Sequence, residues 1–333
     1  MEENKFEDLK SGLLDELDSM LDAQKPAENQ QKTVADGLDD ARAEKASEKD
    51  KTQKDKAEEK KAAEENKEDK AQDKPEKDGE HKEEEKEEIP KKPFVHLHVH
   101  SEYSLLDGLA RITKGKKSPL LDECVKLGLP GCALTDHGNM FGAYTFYKAA
   151  QKRNLIPIIG CEFYTCEDMH STDSNERNHL ILLAKNNEGY RNLVKLDSLA
   201  YIEGFYYKPR IDLDLLAKYS KGVICLSACL SGKIPRLLLM GDYEGAKKYA
   251  IKLKSMFDEG DFYIELQDHG LEEQRRIRDD LVRLSKELGV KLVATNDVHY
   301  IKREDYVSQD LLVRINTGKT INDVTGMEMG SDQ

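Results

Sequence analysis

Three histidines fall within five residues, in the run Phe94-Val95-His96-Leu97-His98-Val99-His100. The alternation is a strand pattern and predicts that His96, His98 and His100 share one face. A strand that gives a face to imidazole has given up apolar contact there. Neutral imidazole is the commonest metal ligand, so the pattern predicts a metal site. Further donors follow at Asp136-His137, Glu162, His179, Cys229, Asp297 and His299. Nitrogen, carboxylate and one thiolate suit zinc, manganese or iron, whereas magnesium and calcium prefer oxygen shells. The donors exceed what one ion takes, so two or three clustered divalent metal ions are expected. Such a cluster acidifies a held water, orients a phosphate and stabilises a leaving oxygen. Phosphoester hydrolysis by a metal-held hydroxide is the expected chemistry, with no side chain assigned as the catalytic group.

Nucleotide-cofactor chemistry finds no support. No Gly-x-Gly-x-x-Gly opens a helix after a strand. Gly318-Lys319-Thr320 has the end of a phosphate-binding loop, but Val313 stands where its first glycine is needed.

Seven apolar runs read as strands, at 94–100, 131–135, 156–164, 179–185, 222–227, 261–267 and 291–295. Helical patterns lie between most of them, near 118–128, 141–153, 187–200, 231–258 with a break at Gly241, 272–288 and 303–314. Regular alternation of strand and helix predicts an α/β fold with a parallel sheet. Periodicity leaves an open sheet and a closed barrel both possible. The donors favour the barrel, because most of them follow the ends of different strands and would converge at one rim. His179 departs from this pattern, since it begins its strand.

The chain has a net charge of −13, unevenly spread. Residues 1–92 hold 31 acidic and 20 basic side chains, so the remainder is nearly neutral at −2. The acidity belongs to an extension and says nothing against a nucleic-acid ligand for the folded part. Residues 1–22 carry Phe6, Leu9, Leu13, Leu17 and Leu21 at helical spacing, which predicts a short amphipathic helix. Residues 23–92 are rich in Lys, Glu, Asp and Ala, and are expected to be disordered. No apolar run is long enough for a membrane span, and no signal peptide is recognisable. The six cysteines include no Cys-x-x-Cys and read as reduced thiols of a cytoplasmic protein.

The motif His98-Val99-His100-Ser101 with Ser104-Leu105-Leu106-Asp107-Gly108 resembles the first motif of the PHP (polymerase and histidinol phosphatase) superfamily. Leu134–Asn139, His179–Asn186, Gly204–Asp212, Val293–Tyr300 and Thr317–Asp323 are similar to stretches of its bacterial DNA polymerase III alpha branch. The resemblance covers about residues 93–325. It implies a distorted seven-stranded βα barrel, TIM-like in plan. It also implies a metal set of His98, His100, Asp107, His137, Glu162, His179, Cys229, Asp297 and His299. Asp107 and His179 enter that set through the resemblance alone. His96 leaves it, and joins Asp136 and His269 as residues expected to support the ligands from behind. Lys208 and Arg210 are candidate phosphate contacts.

The resemblance implies DNA as ligand. As partners it implies the rest of a polymerase and its replisome subunits, a sliding clamp and a proofreading exonuclease among them. A polymerase site would lie beyond Gln333, so residues 326–333 are expected to begin a continuation. Three functions fit: a metal-dependent 3′–5′ exonuclease or phosphoesterase, a metal-stabilised scaffold without catalysis, and a stand-alone phosphatase of the histidinol-phosphate type. Gly204–Asp212 and Thr317–Asp323 favour the polymerase branch.

Overall fold

The computed structural model describes residues 94–173, 176–321 and 323. The expectations for 1–22, 23–92 and 326–333 lie outside the described residues.

Among the described residues eight strands form: β1 (Gly131–Leu134), β2 (Ile156–Thr165), β3 (Asn178–Ala184), β4 (Phe205–Tyr206), β5 (Lys208–Ile211), β6 (Val223–Leu226), β7 (Phe262–Leu266) and β8 (Lys291–Ala294). The sheet runs β4-β5-β2-β3-β6-β7-β8, and β1 pairs with the first half of β2. The leading segment, residues 94–100, closes the ring by bridging Cys132 through His96 and Val298 through Val99. Hydrogen bonds secure both sides: Ala133 N donates to His96 O at 2.8 Å, and His100 N donates to Val298 O at 2.7 Å. Each of the seven staves contributes a side chain to one interior cluster: Leu97, Ala133, Ile158, Ile181, Leu226, Tyr263 and Val293. That cluster is the floor of a small barrel.

The seven expected strands are all present as staves, with two differences. The leading segment makes isolated bridges in place of a regular strand, with a bend at His98. Strict alternation would place Leu97 and Val99 together. Instead Leu97 joins the interior and Val99 packs outside, against the layer containing Ile112, Leu121 and Phe146. The bend resets the phase of the strand, so His98 and His100 turn inward and His96 does not accompany them.

The second difference concerns direction. β3 runs antiparallel to both neighbours, so the sheet is mixed and not wholly parallel. The start of β3 therefore lies at the rim where the other staves end. Register pairs His179 with Tyr164, two residues past Glu162. The reversal brings His179 to the donors that its place in the chain had seemed to exclude.

The α-helices of the described residues are α1 (Pro119–Lys126), α2 (Ala143–Gln151), α3 (Asn187–Ile202), α4 (Leu213–Lys218), α5 (Lys233–Leu239), α6 (Tyr243–Lys254), α7 (Glu272–Leu288) and α8 (Tyr306–Thr317). α3 begins at Asn186, whose side chain accepts from Gly189 N at 3.0 Å, a standard N-cap contact. α7 ends on Gly289 in the left-handed conformation, at φ 60°. α8 has a direct bearing on the site. Its buried Gln309 donates to the main-chain carbonyl of Asp107 and so pins the loop that carries this carboxylate.

Candidate metal centre

The rim gathers five imidazoles and three carboxylates, and Glu162 is at the centre, fully buried on β2. Its Oε1 lies 3.3 Å from His98 Nε2 and 2.9 Å from His179 Nδ1. Its Oε2 lies 3.6 Å from His100 Nε2 and against His137 Nδ1. Asp297 Oδ1 reaches the same two imidazoles, 3.1 Å from His98 Nε2 and 3.2 Å from His100 Nε2. Asp107 Oδ2 lies 2.9 Å from His137 Nε2 and 3.9 Å from His299 Nε2. Cys229 stands beside this group, its Sγ 3.6 Å from His179 Nδ1 and 4.0 Å from Glu162 Oε1.

Three sets have donor atoms mutually within 4.8 Å: His98, His100 and Asp297; His100, His137 and His299; His137, Glu162 and His179. The sets overlap through His100 and His137, so the donors form one continuous group. Glu162 Oε2, Asp297 Oδ1 and His137 Nδ1 are all buried at this centre without a hydrogen bond of good geometry. Buried polar atoms are almost always paired. Leaving several unpaired around one point is costly unless a cation takes them up. The donor set therefore fits divalent metal.

The second ring nitrogen of several imidazoles is already engaged, which fixes the free one. His98 Nδ1 lies 2.8 Å from Glu265 Oε1, His100 Nδ1 is 2.9 Å from Ser104 Oγ, and His299 Nδ1 is 2.8 Å from Asp297 O. In each case Nε2 is left facing the centre, as is usual for metal-binding histidine. Local backbone strain follows the same residues. Among the described residues five that are not glycine have positive φ; Leu106 precedes Asp107, Ala228 precedes Cys229, and Asp297 is itself one. Such conformations persist where surrounding structure holds them, and they gather at functional sites. Gly108 explains the glycine of the first motif, because a Cβ there would overlap the Ser101 carbonyl oxygen.

Without metal, protons take up part of the negative charge. Burial opposes protonation of His137, but Glu162 and Asp107 outweigh it and lift the imidazole to about 10. Burial likewise opposes charge on His98, and Asp297, Glu265 and Glu162 raise it well above its ordinary value. His100 goes the other way: burial, then the neighbouring His137 and His299, push it down to about 3. Burial penalises the Asp297 carboxylate, yet His98 and His299 hold it far below the usual range.

The PHP domain family matches residues 96–269, about half of the chain. The chain belongs to the PHP domain family. Similar proteins include the DNA polymerase III alpha subunit of Borreliella burgdorferi, 49% identical over 245 residues that cover 72% of this chain and 21% of that protein. The Treponema pallidum alpha subunit is 46% identical over 245 residues, 72% of this chain and 20% of that protein. The chain thus spans about one-fifth of the length of the curated relatives it matches. A looser fold likeness, with TM-score 0.41 and 13% identity, relates 62% of this chain to 87% of an amidohydrolase from Chromobacterium violaceum.

All nine expected ligands of the PHP domain meet at the rim; the supporting residues need correction. His96 touches no ligand side chain among the described contacts. Its ring lies edge-on to Phe94 at 4.9 Å and its buried Nδ1 lacks a partner, so its support is through the backbone. Asp136 accepts from Ser101 N at 2.6 Å and Ser104 Oγ at 2.7 Å, and so reaches His100 only through Ser104. His269 orients no imidazole; its Nε2 lies 2.9 Å from Asn296 O, where it steadies the backbone before Asp297. Arg210 is not a phosphate contact. It is buried, its guanidinium donates to the carbonyls of Gly204, Met169 and Ser171, and it lies over the Tyr206 ring at 5.2 Å.

Sequence reasoning missed Glu265. Buried on β7, it orients His98 and is itself held by Thr295 Oγ1 and by Gln267 Nε2, the latter at 3.0 Å. The signal was present: Tyr263, Glu265 and Gln267 alternate on one face of an expected strand, and an acid on such a face needs a partner. Glu265→Gln keeps the shape but removes the charge that sets the His98 tautomer. Loss of such a supporting carboxylate is expected to weaken metal affinity about 10–100-fold. Metal titration followed by calorimetry checks this, and an unchanged affinity would remove Glu265 from the site.

Proposed function

We propose that this chain is the amino-terminal part of a replicative DNA polymerase III alpha subunit whose PHP domain is a metal-dependent phosphoesterase acting at the 3′ end of a DNA strand. The observation that carries the reading is the complete set of overlapping donor groups around Glu162. His98, His100 and Asp297 would hold one cation, with the sets built on His137 and His179 holding further ones. Divalent cations bound there supply Lewis acidity toward a phosphoester and toward water. Zinc, manganese and iron all suit these donors.

The protein's own part is positioning. A cleft of ≈710 Å³ opens over Asp107, His137 and His179, large enough for more than a single phosphate group. Lys208 stands at its wall with Nζ 5.8 Å from the Tyr164 ring centre, placed to hold a phosphate oxygen. Glu162, Glu265 and the ring-nitrogen partners keep the imidazoles aimed before substrate arrives, so little reorganisation is needed at the moment of reaction. DNA, the remainder of a polymerase, a sliding clamp and a separate proofreading subunit are the proposed partners. Among the described residues no helix is long and apolar enough to cross a membrane.

The test is hydrolysis by the purified chain, loaded with manganese or zinc, of single-stranded DNA and of p-nitrophenyl phosphate. Release of nucleotides from 3′ ends supports the exonuclease reading. Cleavage of the small ester alone moves the chain toward a phosphatase. Full metal occupancy without cleavage of either would leave the centre as a structural one.

A further inference from the structure

Five large apolar side chains at the cleft are exposed, and four of them are aromatic: Phe141 at 59%, Tyr201 at 39%, Phe205 at 56% and Tyr207 at 68%, with Leu105 the fifth. Isolated exposed rings are ordinary, but a group at one mouth is not. They come from three separate elements: the loop before α2, the end of α3, and the β4–β5 hairpin. Phe141 and Tyr201 have ring centres 6.0 Å apart, and Tyr201 and Phe205 follow at 6.1 Å with planes only 26° apart. These three rings thus form a row, and Tyr207 lines the same mouth.

Tyr207 adds an independent sign. It occupies the tip of the hairpin with φ 61°, a conformation that glycine or asparagine adopts at far less cost. Its ring is mostly in solvent, so burial does not offset that strain. Beside the row stand Arg177 and Lys208, and among the described residues neither has a carboxylate partner. Arg236, also at the mouth, donates to Arg177 O at 2.7 Å and fixes that strand of the wall.

We propose that Phe141, Tyr201, Phe205 and Tyr207 form a stacking platform for the bases of a single-stranded nucleic acid, whose backbone is held by Lys208 and Arg177. Flat rings at a mouth with unpaired cations match what such a strand offers, π-faces alternating with phosphates. A small phosphate ester would use neither the row nor the second cation. An apolar protein surface would leave both cations unmatched. The direction of the strand, with its end at the metal centre, rests on the phosphoesterase reading above; the platform itself does not.

The experiment compares two labelled strands of about ten nucleotides, long enough for a stacking groove. One is oligothymidylate with phosphorothioate links that resist cleavage; the other is abasic with the same backbone. Fluorescence anisotropy with the full chain in manganese is expected to show thymidylate bound at least about tenfold more tightly, the scale of one stacked base. Phe141→Ala with Phe205→Ala should erase that preference while the abasic strand still binds, which also shows that the variant is folded. Lys208→Ala should weaken both strands alike. Equal binding of the two strands by the unaltered chain overturns the platform, and is the outcome if the row docks a protein. An undiminished preference in the double variant overturns it as well. Cleavage of ordinary oligothymidylate is scored separately, so a chain that prefers bases yet cuts nothing keeps the platform and loses the phosphoesterase.

Discussion

Glu162→Gln is expected to empty the metal centre and reduce hydrolysis by at least about 10³-fold, with the fold retained in weakened form. The substitution preserves volume, so packing around β2 has no reason to change. The loss is of one charge, fully buried and in contact with His98, His100, His137 and His179. Removing one member of a buried charged group costs about 3–5 kcal/mol, because its partners remain buried. For a domain of this size that is roughly 6–20 °C in Tm. Metal content by elemental analysis, rate, and a thermal scan check the three parts. A variant with full metal content and full rate would place the chemistry elsewhere.

Stripping the metal from the unaltered chain should have an effect of similar size, and its dependence on pH has a definite sign. A cation at a thousandfold excess over its Kd stabilises by about 4 kcal/mol per independent site. The three donor sets share residues, so their contributions do not simply add. In the metal-free chain His137 titrates near 10, against an ordinary 6.5. Its proton therefore stabilises the metal-free fold fully below about 6.5, and that contribution fades as pH rises toward 10. Cations must displace this proton and the one on His98, so metal affinity rises over the same range. Both trends widen the gap between metal-bound and chelated protein. Calorimetric scans should show a larger Tm difference at pH 8 than at pH 6, with protons released on loading. A gap that narrows would mean that His137 and His98 are not ligands.

The staves were legible because each is a compact apolar run bounded by polar residues, and burial imposes that pattern. Strand direction was not, since period-two alternation reads the same both ways; hence β3 was expected to be parallel and His179 seemed out of place. The hairpin Phe205–Ile211 and the six-residue helix Leu213–Lys218 fall below the length at which periodicity speaks. His96 misled for another reason. Three histidines in continuous alternation give no hint of the bend at His98 that separates the first from the other two. Arg210 read as a candidate phosphate contact because it is a cation two residues from Lys208, whereas its partners are carbonyls up to 41 residues away.

The closure between Val99 and Val298 orders events during synthesis. The leading segment leaves the ribosome about two hundred residues before the stave it must bridge. Until then His98 and His100 have neither Asp297 nor His299, and the barrel has an open seam with unpaired backbone groups on both lips. Contacts this distant in the chain form late and slowly. Capture of the cation held by His98, His100 and Asp297 and closure of the seam are therefore a single event, reached only when the last stave arrives. A nascent chain arrested before Asp297 should retain fewer cations and stay open to protease, and one released beyond Tyr300 should retain the full complement and resist it.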